Sequence, residues 1–201
     1  MEVSKGQTNL QNLSVIPFAG GTGSPEDPYR IQEQGTMDQN PFRLAPDCAF
    51  RLEADLNWSG WTLCPEFGGT FDGNQHTLNL SISSGTSDAP FGLFSTLLPQ
   101  GRVENLRLSG QVEVSGSGTV LGSVAGVNQG TISNCFASTQ VSGPNVVGGI
   151  AGENQGSITN CGFIGTIQQG ISCGGICAFN QAQLRGCYSA GTITGTYAGG
   201  I

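Results

Sequence analysis

The chain has 201 residues, 33 of them Gly, and only 10% are charged, against about a quarter in an ordinary globular domain. A net charge of −7 with seven Lys plus Arg lacks the cationic footprint that phosphate neutralisation needs, which excludes nucleic acid and disfavours anionic membranes as partners. No apolar run is long enough to span a bilayer, and the opening MEVSKGQTNL has no apolar core of a secretion signal, so neither membrane insertion nor a targeting segment is expected here.

In chain order, residues 1–17 read as an extended arm and residues 18–90 as an N-terminal cap with leading coils. The second stretch holds the single His76, both Trp58 and Trp61, and most of the carboxylates. Glu26-Asp27-Pro28 reads as a turn before a strand from Tyr29 to Gln32, and Asp72-Gly73-Asn74 as a second turn. From about residue 91 the chain repeats itself to residue 201. Gly122 opens GSVAGVNQGTISNCF, Gly148 opens GGIAGENQGSITNCG, Gly174 opens GGICAFNQAQLRGCY and Gly199 begins GGI, giving periods of 26, 26 and 25. The stretch from Phe91 fits the same template if the loop Thr96 to Gly101 carries two extra residues, which aligns Val103 with Ile132 and Leu106 with Cys135. Beyond Glu113 only Glu153 and Arg185 are charged.

Within a repeat the apolar positions alternate in short runs, such as Ile158, Cys161, Phe163 and Ile167, cut by Gly, Asn or Ser. Period two means strand, and no helical spacing survives for ten residues. Each unit supplies about three strands of roughly three to five residues, too few to bury its own inward side chains. Stacking successive units ~4.8 Å apart in parallel buries them continuously. The expected fold is all-β, a right-handed parallel β-helix (solenoid), the hand following from strand twist. Parallel in-register strands are expected at Val124 to Ala125, Ile150 to Ala151 and Ile176 to Cys177.

The pattern Gly-Gly-Ile-Ala-Gly-x-Asn-x-Gly-x-Ile-x-Asn-Cys-x from Gly148 to Gly162 closely resembles the GLUG repeat of bacterial surface proteins. Upstream, Phe18-Ala-Gly-Gly-Thr-Gly-Ser-Pro-Glu-Asp-Pro-Tyr-Arg-Ile31 and Gly69 to Leu78 resemble the lead-in motif and first coil that precede such repeats. The resemblance implies a β-helix outside the cell, since the family occurs in secreted and wall-attached adhesin-like proteins and in N-terminal regions of large immunoglobulin A metalloproteases. The chain departs from the pattern at Gln75, where the family usually has Gly, and in the third repeat. There Asn-Gln-Gly becomes Asn180-Gln181-Ala182 and the second Asn becomes Gly186, so a less regular coil is expected.

Columns of identical residues carry the site reading. Cys135, Cys161 and Cys187 recur every 26 residues, and Leu106 fills the same slot one coil earlier. A column that accepts leucine points inward, so these are read as buried, reduced thiols. Cys173 and Cys177 follow Val147 and Ala151 and are read the same way. Cys48 and Cys64 lie outside the repeats and are the pair to consider for a disulfide in an oxidising compartment. Asn128, Asn154 and Asn180 form a structural ladder at the corner after the Gly-Ile-Ala-Gly strand, and Asn105, Asn134 and Asn160 form a second, because Asn tolerates left-handed backbone and its amide can bond along the stack.

An enzyme reading needs clustered carboxylates on one face. The repeats cannot supply them, and Asp72 near His76, with Glu53, Asp55 and Glu66, is spread over turn, strand and loop. A HExxH zinc motif needs two His and the chain has one; no metal or cofactor is expected. The sequence thus points to a non-catalytic module of a secreted or cell-surface protein, an adhesin-like stalk or ligand-presenting region with an unknown host protein or glycan as partner. The alternatives are an accessory substrate-binding region of a large secreted metalloprotease or a glycan-active β-helix enzyme. Ligand contact is assigned to loops that vary between coils, represented by Pro99, Gln100, Ser117, Pro144 and Asn145. End-to-end self-association through the final, truncated coil is a further expectation.

Overall fold

A computed structural model describes residues 16–59, 65–84, 89–117 and 119–200; residues 1–15 of the arm expected over 1–17, and Cys64, lie outside the described residues. Among the described residues the strand ladders run parallel and build a three-faced solenoid. Face 1 stacks Tyr29–Ile31, Ala49–Leu52, Thr70–Asp72, Arg102–Glu104, Thr131–Ser133, Ser157–Thr159 and Gln183–Arg185. Face 3 stacks Glu66–Phe67, Phe94–Leu97, Ala125–Asn128, Ala151–Asn154 and Cys177–Asn180. Face 2 joins two rows, one led by Leu56–Ser59, Thr77–Ser84, Arg107–Val114 and Phe136–Ser142, the other by Pro90–Phe91, Val120–Leu121 and Val146–Gly148; Thr166–Gly174 runs through both. The face 2 strands reach eight or nine residues, longer than the sequence suggested.

Register follows the repeat arithmetic. Ala125 pairs with Phe94 and Ala151, and Ala151 with Cys177, while Val124 and Ile150 each donate their N–H one coil onward, to Ile150 and Ile176. Val103 opposes Ile132, so the two extra residues do lie in the loop after Leu97. The shortened period of 25 also has a location: Ile167 opposes Ile193 but Gly170 opposes Gly195. One residue is squeezed out between them, and Gln169 takes a left-handed φ of 70°, the geometry of a bulge.

The inward row of face 1 runs Phe50, Phe71, Val103, Ile132 and Ile158, each fully buried, because side chains of one strand alternate between solvent and the solenoid interior. At the N-terminal end two helices of four residues, Gln34–Met37 and Pro41–Leu44, interrupt the coils; they are too short to leave a periodic signature in the sequence. Asn40 caps the second, with its side chain accepting from the Arg43 N–H at 3.2 Å and Pro41 in the first turn. The helix drives Phe42 into an aromatic cluster, 4.8 Å from Phe71, 5.1 Å from Phe50, 5.3 Å from Phe94, 5.6 Å from Trp58 and 5.7 Å from Phe67 between ring centroids. Outside it Phe18 stacks on Tyr29 at 4.4 Å. The tight lead-in turn makes this possible, since a Cβ on Gly23 would fall 2.3 Å from the Tyr29 ring.

Candidate functional site

The first asparagine column is a hydrogen-bonded ladder. Asn128 donates through Nδ2 to Asn154 Oδ1 at 2.7 Å, and Asn154 donates to Asn180 Oδ1 at 2.7 Å. Each side chain also closes its own corner, Asn128 Oδ1 accepting from the Gly130 N–H and Asn154 Oδ1 from the Gly156 N–H. Asn128 and Asn154 are fully buried, whereas Asn180 is exposed. Burying an amide costs nothing only when its partners are present, and here they are. The second column acts through the backbone: Asn105, Asn134 and Asn160 have φ of 52°, 53° and 54°. Gly186 keeps the same left-handed turn at 63°, so the expected irregularity at that corner is absent. Gln75, the other departure, also adopts a positive φ, 66°.

The cysteine column is internal. Cys135 and Cys161 are buried, and each points its S–H toward backbone carbonyls, 3.3 Å from Ser133 O and Thr159 O. Cys187 departs from the expected burial: it is only half-buried, because among the described residues no further coil covers it. The hydrogen bond with Cys135 and then burial push the Cys161 thiol up to about 12, and burial pushes Cys177 up to about 11. Hydrogen bonding with Cys161, then burial, also raises Cys187.

The loop residues do not form one surface. Pro99 and Gln100 are exposed between faces 3 and 1. Ser117, exposed, and Pro144 and Asn145, half-buried, lie at the bend between the two rows of face 2. The Asn145 carbonyl there accepts the N–H groups of Ile171 and Ser172. The acids are also parted. Asp72 accepts from the Asn74 N–H at 2.9 Å and from Asn105 Nδ2 at 3.0 Å, turn chemistry, and His76 pairs not with it but with Asp55, at 3.2 Å. The Thr77 N–H, together with His76, holds the exposed Asp55 carboxyl below its usual range. Glu53 lies 3.5 Å from Arg51. Among the described residues no group of three His, Cys, Asp or Glu is placed to hold a metal ion.

A concavity of about 470 Å³ opens instead on the outside of face 2 beside the second asparagine corner. The sequence pattern marked Asn134 there for its backbone and passed over Arg107 and Phe136; a ring and a cation on successive rungs become visible only once the register is known.

A model of the GLUG motif matches residues 143–168. The chain carries a GLUG motif. The match spans one turn of the solenoid, including the buried Asn154, the left-handed Asn160 and the buried Cys161. Halomucin of Haloquadratum walsbyi is 31% identical over 158 residues, which is 69% of this chain and 2% of halomucin. A "Putative Gly-rich membrane protein" of Evansella cellulosilytica is 29% identical over 130 residues, 58% of this chain and 15% of that protein. The chain thus spans a small part of either relative. The crystal structure of a "putative immunoglobulin A1 protease" from Bacteroides ovatus matches with a TM-score of 0.57 over 89% of this chain and 70% of that one, at 19% identity. That likeness is one of fold, and the fold is the parallel β-solenoid described above. No helix of the described residues is long and apolar enough to cross a membrane.

Proposed function

We propose that this chain is a non-catalytic β-helix module of a secreted or cell-surface protein, an adhesin-like stalk that presents ligand-facing side chains. The observation that carries the reading is the use made of the polar residues. The Asn128 to Asn180 ladder and the Asn105 to Asn160 corners are spent on stacking, and Asp72 is spent on a turn. Of the acids named in the leading segment, Asp55 pairs with His76, while Asp72 is held in its turn by Asn74 and Asn105. A rigid rod with outward side chains at regular rungs fits presentation. The likeness to the Bacteroides ovatus structure supports a second reading, an accessory substrate-binding region of a larger secreted protease.

The test is attachment. Beads coated with the purified chain are expected to adhere to host-cell or mucin-coated surfaces above the level of beads carrying an unrelated β-helix; equal adhesion rejects the stalk reading. Hydrolase and lyase assays on glycans and peptides are expected to give no turnover. A metal-dependent activity lost on Asp72→Ala or His76→Ala would reverse the non-catalytic assignment.

A further inference from the structure

The concavity on face 2 takes Thr77, Arg107 and Phe136 from one outward row of the solenoid, a row that continues beyond it in both directions. Asp55 lies beyond the strand that starts at Leu56, and Thr77, Arg107, Phe136, Gly162 and Tyr188 then follow one another in register. At ~4.8 Å per rung, Thr77 to Tyr188 extends about 19 Å along the axis. Gln75, Asn134 and Ser138 flank the row in the concavity. Phe136 is half-exposed in its middle. The Tyr188 ring covers Gly162 on the preceding rung, where a Cβ would fall 2.6 Å from its Cζ, and Gly162 in turn pairs with Phe136.

Three features select the ligand. First, Thr77, Arg107 and Phe136 lie on strands paired on both sides, so no free backbone edge is available to add a peptide strand, and recognition falls to side chains alone. Second, beside Arg107 and Leu108 the lining offers one ring, Phe136, two amides, Gln75 and Asn134, and two hydroxyls, Thr77 and Ser138. The Asn134 amide keeps spare capacity, since it makes only long contacts, 3.3 Å to Asn105 and 3.4 Å from Asn160, and the Ser138 hydroxyl donates to Leu108 O with its lone pairs open. Third, Arg107 makes no salt bridge among the described residues, and the concavity contains no carboxylate. The nearest in its row, Asp55, is two rungs away and bonded by the Thr77 N–H and His76, and the Arg107 charge reaches it only as the weakest of the influences on its carboxyl. A cation at the rim of the concavity with no carboxylate in contact favours an anionic ligand.

We propose that this groove binds a carboxylate-bearing oligosaccharide lying along the solenoid axis. Arg107 pairs with a sugar carboxylate, Phe136 and Tyr188 carry the C–H faces of the rings, and Asn134, Gln75 and Ser138 bond hydroxyl groups. The inference rests on the ligand-presenting reading but is tested apart from it, by titration of the purified chain in solution rather than by attachment.

The probe is an oligogalacturonate, with its fully methyl-esterified form as a neutral control of the same skeleton. The acidic form is expected to bind with a Kd of about 1 mM and the ester at least about tenfold more weakly. Arg107→Gln is expected to remove the difference between the two. Phe136→Ala and Asn134→Gly are each expected to weaken binding about tenfold, the latter at unchanged melting temperature because Gly keeps the left-handed backbone. Absence of binding up to about 10 mM, equal binding of acid and ester, or undiminished binding by both Arg107→Gln and Asn134→Gly would overturn the proposal while leaving the attachment result to decide the stalk reading.

Discussion

A thiol that fills a column otherwise taken by leucine acts as a hydrophobe, and its protonation is then tied to folding. Cys161 is pushed up to about 12 by its hydrogen bond with Cys135 and by burial, and Cys177 up to about 11 by burial, from an ordinary value of 9.0. In the unfolded chain these thiols ionise from about pH 9. Above that pH the folded state retains protons that the unfolded state has lost, so stability falls as pH rises. The stabilisation is complete below pH 9 and disappears between about 9 and 12. Melting temperatures are therefore expected to be level near neutrality and to drop over that window under reducing conditions. Cys161→Ala is expected to cost about 1 kcal/mol at pH 7 for the lost volume and to shallow the alkaline decline; an unchanged decline places the titrating groups elsewhere. The inward direction of the column was legible from Leu106 alone. The half-burial of Cys187 was not, since pattern says which way a side chain points and not how many coils cover it.

At the scale of the element, the corners decide which residues the repeat tolerates. Two asparagine columns look alike in sequence and do different work. Asn154 is buried and bonded on both sides, so Asn154→Ala leaves Asn128 Nδ2 and the Gly156 N–H short of a partner and is expected to cost about 2–3 kcal/mol. Asn160 is exposed at φ 54°, so Asn160→Gly is expected to be nearly silent, whereas Asn160→Val costs about 1–2 kcal/mol from backbone strain. Urea denaturation separates the cases, and equal costs for Asn160→Gly and Asn160→Val would remove the left-handed backbone as the cause. Repeat spacing was enough to align strands from Ala125 to Cys177 and to place the two-residue loop insertion. It did not reveal that Gly186 preserves the turn or that the missing residue of the 25-residue period is absorbed at Gln169, because both depend on the sign of φ. The groove around Arg107 and Phe136 escaped for a related reason. Those residues break the column pattern, and only the register puts them side by side.

Over the whole molecule, stacking makes stability nearly one-dimensional, with each coil held by its neighbours. Composition marked the leading segment as different, through its charge and its aromatic residues, but not how it closes the interior. The two four-residue helices have no period to detect, and Phe42 gives no local sign that it meets five other aromatic side chains. Four of its partners come from face 1 and face 3 coils, Phe50, Phe71, Phe67 and Phe94, so the plug ties the first turns together. Phe42→Ala is expected to destabilise that end by about 3–5 kcal/mol. Coupling between coils decays with distance along a solenoid, so the loss stays local rather than lowering the whole structure equally. Hydrogen exchange of the variant is expected to quicken for amides of Ala49–Leu52 and Thr70–Asp72, while those of Ser157–Thr159 keep the protection of the parent chain. A uniform loss across all three segments would mean that the chain unfolds as one cooperative unit and that Phe42 stabilises every coil rather than the end it fills.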